Sequence, residues 1–286
     1  MKDDEGTRME AERIDNQREG AMPEREAEIL TAIIEEYVQT AQPIASGHLA
    51  LEQEWGLSAA TIRTVMNRLE EAGYLHSPHT SAGRVPTDRA YRWYVTRSME
   101  KRERLVPSRR EREILGRRMG EEPVQPERVR EVGQLLADLV HLAALSRLGG
   151  STQIYGLAHI FRQPEYQLSE RAERLAEVID RVEELTRELP DRDDLQVYIG
   201  RETPLGKVAD YSLVVRKFET PWGPALFGVM GPTRMPYPRV IGLLNYMNEL
   251  IQPLSVSGGV RSPMVSSDGD RVGSRLEKED GDGQKE

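Results

Sequence analysis

The chain predicts an α+β protein: an N-terminal unit of helices carrying one short hairpin, then a layer of strands backed by helices. Three observations predict it. Apolar residues recur at helical spacing from Pro23 to about residue 100. A turn-rich tip near residue 80 interrupts that spacing between two short extended pieces. After Leu195 the period changes from helical spacing to alternation.

The hairpin-bearing stretch runs from Leu57 to Tyr94. Ser58 is a natural N-cap, and Ile62, Val65, Met66 and Leu69 follow at the spacing of one buried helix face. Gly73 ends that helix as a left-handed C-cap glycine. Extended pieces at 74–77 and 84–86 flank a tip from Pro78 to Gly83, and Thr87 and Asp88 offer the N-cap of another helix. Upstream, Pro23 and three glutamates open a helix whose apolar face is Leu30, Ile33, Ile34, Tyr37 and Val38. Ser46 caps a second helix reaching Trp55, and Gly56 turns the chain into the helix at Ser58. Three helices, a hairpin and a helix make the order of a winged helix-turn-helix, with the third helix as the reading element. A small helical bundle that uses its hairpin for protein contacts has the same pattern.

Composition narrows the classes. The 286 residues are 38% hydrophobic and 30% charged, and none is cysteine. Disulfides and thiolate metal sites are thereby excluded, and a reducing cytoplasmic setting is expected. No apolar run approaches the roughly 20 residues of a membrane span. The formal charge of −9 argues against nucleic acid only if charge is evenly spread. It is not. Residues 1–28 hold ten acidic and five basic side chains, whereas residues 84–118 hold twelve basic and five acidic.

The exposed face of the third helix carries Ala59, Ala60, Thr61, Arg63, Thr64, Asn67 and Arg68, with no acid between Ser58 and Leu69. Small residues at its start suit a major groove about 12 Å wide, where Arg pairs with guanine, Asn with adenine, and Thr reaches a phosphate or a thymine methyl.

From Ile29 to Val95 the chain resembles the N-terminal domain of the HrcA family, the heat-inducible transcription repressors of bacteria. The resemblance is carried by 34–37 (IEEY), 42–46 (QPIAS), 58–63 (SAATIR) and 69–75 (LEEAGYL). Most specific is 78–88 (PHTSAGRVPTD), with 91–95 (YRWYV) behind it. It implies a homodimeric repressor of chaperone genes that binds double-stranded operator DNA with an inverted repeat, with the GroEL chaperonin as a modulator. It implies base contacts from Thr61, Arg63 and Thr64, and backbone or minor-groove contacts from Ser46, His79, Thr80, Ser81 and Arg84. Ser58, Asn67 and Arg68 complete the candidate set. The family usually has Asn-Asp after the helix arginine where this chain has Thr64-Val65, and a lysine where it has Gly47.

Farther on, Val129, Val132, Leu136, Leu139 and Ala143 predict a helix ending at Gly149-Gly150. A second long helix is expected from about Glu165 to Leu189. Strands are expected through 195–199, 211–218 and 224–230, then a helix bearing Val240, Leu243, Leu244, Met247 and Ile251. The segments 198–205 (YIGRETPL), 212–214 (SLV) and 228–235 (GVMGPTRM) resemble the GAF-like C-terminal domain of the same family, with the middle of that domain reduced. The expected organisation is a disordered leader over 1–22, a winged unit over 23–105, a helical link with a dimerising or sensing GAF-like unit over 106–255, and a disordered tail over 256–286.

Five scattered histidines without cysteine partners predict no metal site, no cofactor motif is present, and an enzyme is not expected. Phe161, Trp222 and Phe227 are expected in the core. Two rivals stay open. One is a regulator whose GAF-like half senses a small metabolite, which a sizeable apolar pocket behind the 222–230 strand would favour. The other is a protein-interaction module that no longer binds DNA.

Overall fold

In the computed structural model, Glu24–Thr40 (α1) buries Ala27, Ile29, Leu30, Ile33 and Ile34, and its first turn carries Glu24 and Glu26 at the positive end of the helix dipole. The structure describes residues 22–79, 83–101, 105–119, 128–190, 194–204, 211–220 and 223–251. Apart from Met22, the expected leader and tail lie outside them.

Ser46–Glu52 (α2) is shorter than the pattern suggested. Ala45, not Ser46, occupies the N-cap and makes no side-chain cap; Ser46 is the first helical residue and is buried. The helix stops before Trp55, and Leu51 is left 86% exposed. Gly56 makes the turn with φ 65°. Ala59–Glu71 (α3) forms as expected. The Ser58 hydroxyl accepts the Thr61 amide at 3.1 Å, and Ile62, Val65, Met66 and Leu69 are buried. Gly73, at φ 77°, lets the Tyr74 amide reach back to the Leu69 carbonyl at 2.8 Å, closing the last turn. Leu75–His76 (β1) and Val85–Pro86 (β2) pair antiparallel, and Asp88–Lys101 (α4) follows with the Thr87 hydroxyl accepting the Ala90 amide at 3.3 Å.

The second half is a five-stranded antiparallel sheet between two helical layers. The strands are Ala143–Leu148 (β3), Ser151–Tyr155 (β4), Gln196–Ile199 (β5), Ser212–Thr220 (β6) and Gly223–Gly231 (β7), in the order β4-β3-β7-β6-β5. The alternation of the strands sorts the core. Val214, Phe218, Phe227 and Val229 pack with Val132 and Leu136 of Val129–Val140 (α6) and with the final helix, Tyr237–Ile251 (α10). Leu145, Leu213, Val215 and Met230 pack on the other face with Ile160 of Leu157–Phe161 (α7), Leu175 and Val178 of Ser169–Asp180 (α8), and Leu185 of Val182–Glu188 (α9). Arg109–Met119 (α5) links the two halves.

Three expectations fail here. The helix predicted to run to Gly149 stops at Val140, where His141 turns left-handed at φ 55°. Ala143 to Leu145 then form a central strand buried on both faces, and such a strand is a continuous apolar run that spacing alone does not separate from a helix. Gly149 and Gly150, at φ 63° and 92°, are the two-residue turn of the β3–β4 hairpin. The long helix over 165–189 is instead a 3₁₀ turn (Pro164–Gln167), α8 and α9, bent at Arg181. Phe227 is buried, but Phe161 is 37% exposed; Trp222 lies outside the described residues.

The N-terminal helices and the sheet meet along α4 and α10. The Tyr91 and Tyr237 rings lie 5.9 Å apart, and the Tyr237 hydroxyl donates to Ser212 and the Thr233 carbonyl at 2.8 and 2.7 Å. Arg92 donates to the Val197 carbonyl at 2.7 Å and pairs with Glu202. Burial raises the ionisation of Tyr91 and Tyr237 well above the ordinary phenol range, and pushes that of Tyr94 up to about 12. A raised folded-state value stabilises the fold below the unfolded value near 10 and is lost as pH rises through the folded one. For Tyr94 the loss is on the order of 3 kcal/mol. Urea melts at pH 9 and pH 12 should show this loss, and Tyr94→Phe should lose less over the same interval.

Candidate nucleic-acid interface

The chemistry of the interface is set by what each exposed side chain of α3 already holds. Arg63 is exposed and has no partner among the described residues. Thr64 donates its hydroxyl to the Ala60 carbonyl at 3.1 Å, so it presents a methyl group and oxygen lone pairs outward. Thr61 and Ser58 share a hydroxyl–hydroxyl bond of 2.9 Å at the helix start. A long cation flanked by two threonines that expose methyl groups and acceptors can address a guanine edge and a neighbouring thymine.

Arg68, Arg84 and Asn67 are tied to other residues of the protein. Arg68 donates to Glu26 of α1 at 3.0 Å. Arg84, at the base of the hairpin, pairs with Glu70 at 2.9 Å and donates to the Asn67 side-chain oxygen at 3.0 Å. That bond uses one of the two lone pairs of the Asn67 oxygen and orients the amide toward Arg84, so two-point pairing with adenine would compete with Arg84 for the side chain. Ser46 is buried, and His79 is exposed, its carbonyl accepting the Ser77 hydroxyl at 2.7 Å. Thr80 and Ser81 lie outside the described residues.

Sequence reasoning missed how the hairpin is held. The amide and carbonyl of Ile44, in the α1–α2 turn, exchange backbone hydrogen bonds with Arg84 at 2.9 and 2.8 Å. Gly83 lies so close to Ile44 that a Cβ there would sit 2.3 Å from its carbonyl oxygen. The signal was Gly83 itself, a glycine beside the arginine that closes the hairpin. Gly47, in contrast, faces open space, with nothing within 4 Å of where a Cβ would stand. Gly47→Lys should therefore leave stability within about 0.5 kcal/mol and make any salt dependence of DNA binding steeper by about one phosphate contact per chain, measured as the slope of log affinity against log salt.

Of the many arginines after the hairpin, Arg97 pairs with Glu24, Arg92 with Glu202 and Arg109 with Glu113. Glu24 and Glu202 come from other elements, so the positive balance counted along the sequence is partly neutralised from outside it, whereas Glu113 lies on the same helix as Arg109 and was already in that count. Among the described residues no helix is long and apolar enough to cross a membrane.

A chain of this build, a helix–hairpin unit ahead of a helix-covered antiparallel sheet, can be compared with known proteins as a whole. Residues 108–241 match the family model of the HrcA protein C-terminal domain. The heat-inducible transcription repressor HrcA of Geobacter sulfurreducens is 30% identical, the alignment covering 81% of this chain and 97% of that protein. The chain belongs to the HrcA family. The HrcA repressor of Desulforamulus reducens is 42% identical over 129 residues, and that of Pelotomaculum thermopropionicum 40% over 126. Those two matches span only 36% and 35% of the relatives' lengths. The alignment with the Geobacter protein runs over 334 positions while 81% of 286 residues is about 232, so about 100 positions have no counterpart here. A solved structure described as a hypothetical protein matches the fold with a TM-score of 0.64 and 18% identity, over 80% of this chain and 98% of that one.

Proposed function

We propose that this chain is a sequence-specific DNA-binding repressor of heat-shock genes, acting in the cytoplasm as a homodimer on an inverted-repeat operator. The N-terminal unit is a winged helix-turn-helix, and the sheet is a GAF-like dimerising and sensing layer. The observation that carries the reading is Arg63: exposed, unpaired among the described residues and flanked by Thr61 and Thr64 on a capped helix, beside a hairpin held in place through Arg84. One short helix reads few base pairs, so two half-sites about one helical turn apart supply the affinity. GroEL, as the resemblance implies, sets the fraction of active repressor.

The test is binding to a labelled fragment of chaperone-operon promoter DNA, with scrambled competitor and a salt series. Binding that resists the competitor supports the reading. Binding removed by the competitor and falling steeply with salt means phosphate contacts without base readout.

A second reading, metabolite sensing, is favoured by one observation. A cleft of about 400 Å³ opens between Arg147, Gly149 and Gly150 on one side, Thr186 and Leu189 on another, and Pro224 to Leu226 on the sheet. Thermal melts with small carboxylate and phosphate compounds would detect a ligand there.

A further inference from the structure

Arg234 lies in the turn between β7 and α10, far in sequence from the reading helix, yet it is only 8% exposed. Its guanidinium is committed on three sides. One nitrogen donates to the carbonyl of Val38 at 2.8 Å. A second reaches the Gln163 side-chain oxygen at 2.9 Å and Glu165 at 3.2 Å, and the third pairs with the other oxygen of Glu165. Gln163 in turn donates to the His141 carbonyl at 3.2 Å, at the end of α6.

The Val38 carbonyl is one of the last four of α1, the carbonyls that no amide of the same helix satisfies. The last turn of α1 contains no basic residue of its own. A cation is favoured at that end of the helix dipole, and here it comes from 196 residues away. One buried, planar donor set therefore ties the end of α1 to the β7–α10 turn and to the Gln163–Glu165 segment. Because α1 packs against α3 through Ile29, Leu30, Ile33 and Ile62, fixing α1 fixes the direction in which α3 points.

We propose that Arg234 is a positioning residue for operator recognition: it sets the orientation of the reading helix relative to the sheet, and through it the half-site spacing that a dimer accepts. The proposal rests on the operator-binding reading above. The Arg92–Glu202 pair alone does not provide this, because both side chains are more than a third exposed and such pairs contribute little.

The test uses the full chain and a set of duplexes carrying one half-site, or two half-sites whose spacing varies one base pair at a time. Each added base pair rotates one half-site by about 34° relative to the other, since a turn of DNA holds about 10.5 pairs. Wild-type protein should prefer one spacing by about tenfold over its neighbours. The double variant Arg234→Met/Glu165→Gln removes both charges without leaving one buried alone. It should bind the single half-site within about threefold of wild type while its spacing preference flattens to about threefold or less.

Arg239→Met is the comparator. Arg239 pairs with Glu111 at 2.7 Å and donates to the Leu139 carbonyl at 2.8 Å, so its bonds join α10 to α5 and α6 rather than to α1. The substitution should lower the melting temperature and leave the spacing preference intact. If the double variant keeps the wild-type spacing preference, or if Arg239→Met flattens it equally, the assignment of Arg234 is overturned. Wild-type protein that binds no paired half-sites overturns the repressor reading instead.

Discussion

Replacing Arg63 by alanine should leave the fold intact and remove most sequence-specific DNA binding. The side chain is exposed and has no partner among the described residues, so its loss should change stability by less than about 0.5 kcal/mol. A good two-point contact to a guanine contributes about 1–3 kcal/mol of discrimination. Two copies in a dimer make that about 2–6 kcal/mol, or roughly 30-fold to 10⁴-fold in operator affinity. Binding to scrambled DNA should fall far less, because Arg63 is one cation among many. Arg63→Lys separates the two contributions: it keeps the charge but not the planar fork, so it should restore non-specific binding and not operator preference. Competition binding with each variant, beside a thermal melt, reads both quantities. An alanine variant that keeps its operator preference would sink the assignment of α3 as the reading element and leave the protein-interaction module standing.

The exposure of Arg63 was legible in the sequence because its environment is local. A cap at Ser58, four apolar residues at helical spacing and a terminating glycine decide which face of α3 is exposed, and all lie within sixteen residues. The hairpin was legible for the same reason. What the sequence concealed depends on partners far along the chain. Nothing near Arg84 or Asn67 announces that they bond each other, and nothing near Arg234 announces Val38. The error over β3 has a different cause. Leu142 to Leu145 are buried because β4 and β7 flank the strand and helices cover both its faces, and periodicity loses its meaning where every residue is inside. Ser46 failed as a cap because a serine one residue into a helix looks the same in sequence as one at the boundary.

Gly83→Ala should be the most damaging single methyl group in the N-terminal unit. The added carbon would stand 2.3 Å from the Ile44 carbonyl oxygen and 2.8 Å from its amide nitrogen, and both are backbone atoms that cannot rotate away. Relief requires opening the two Ile44–Arg84 backbone bonds, worth about 0.5–1.5 kcal/mol each, on top of about 1–3 kcal/mol for the overpacking itself. The sum, about 2–6 kcal/mol, corresponds to a melting temperature lower by roughly 10 °C for a domain of this size. The consequence for recognition follows from Arg84. Once the hairpin lifts from Ile44, the Arg84 guanidinium leaves Glu70 and Asn67, freeing the Asn67 oxygen on the reading face. Operator affinity should then fall and base preference shift even at temperatures where the protein stays folded. Hydrogen exchange at the Ile44 and Arg84 amides reports the opening directly, and Gly47→Ala, which meets only open space, is the control. A Gly83→Ala protein that melts within about 2 °C of wild type, with both amides still protected, would mean that the hairpin is not held by Ile44.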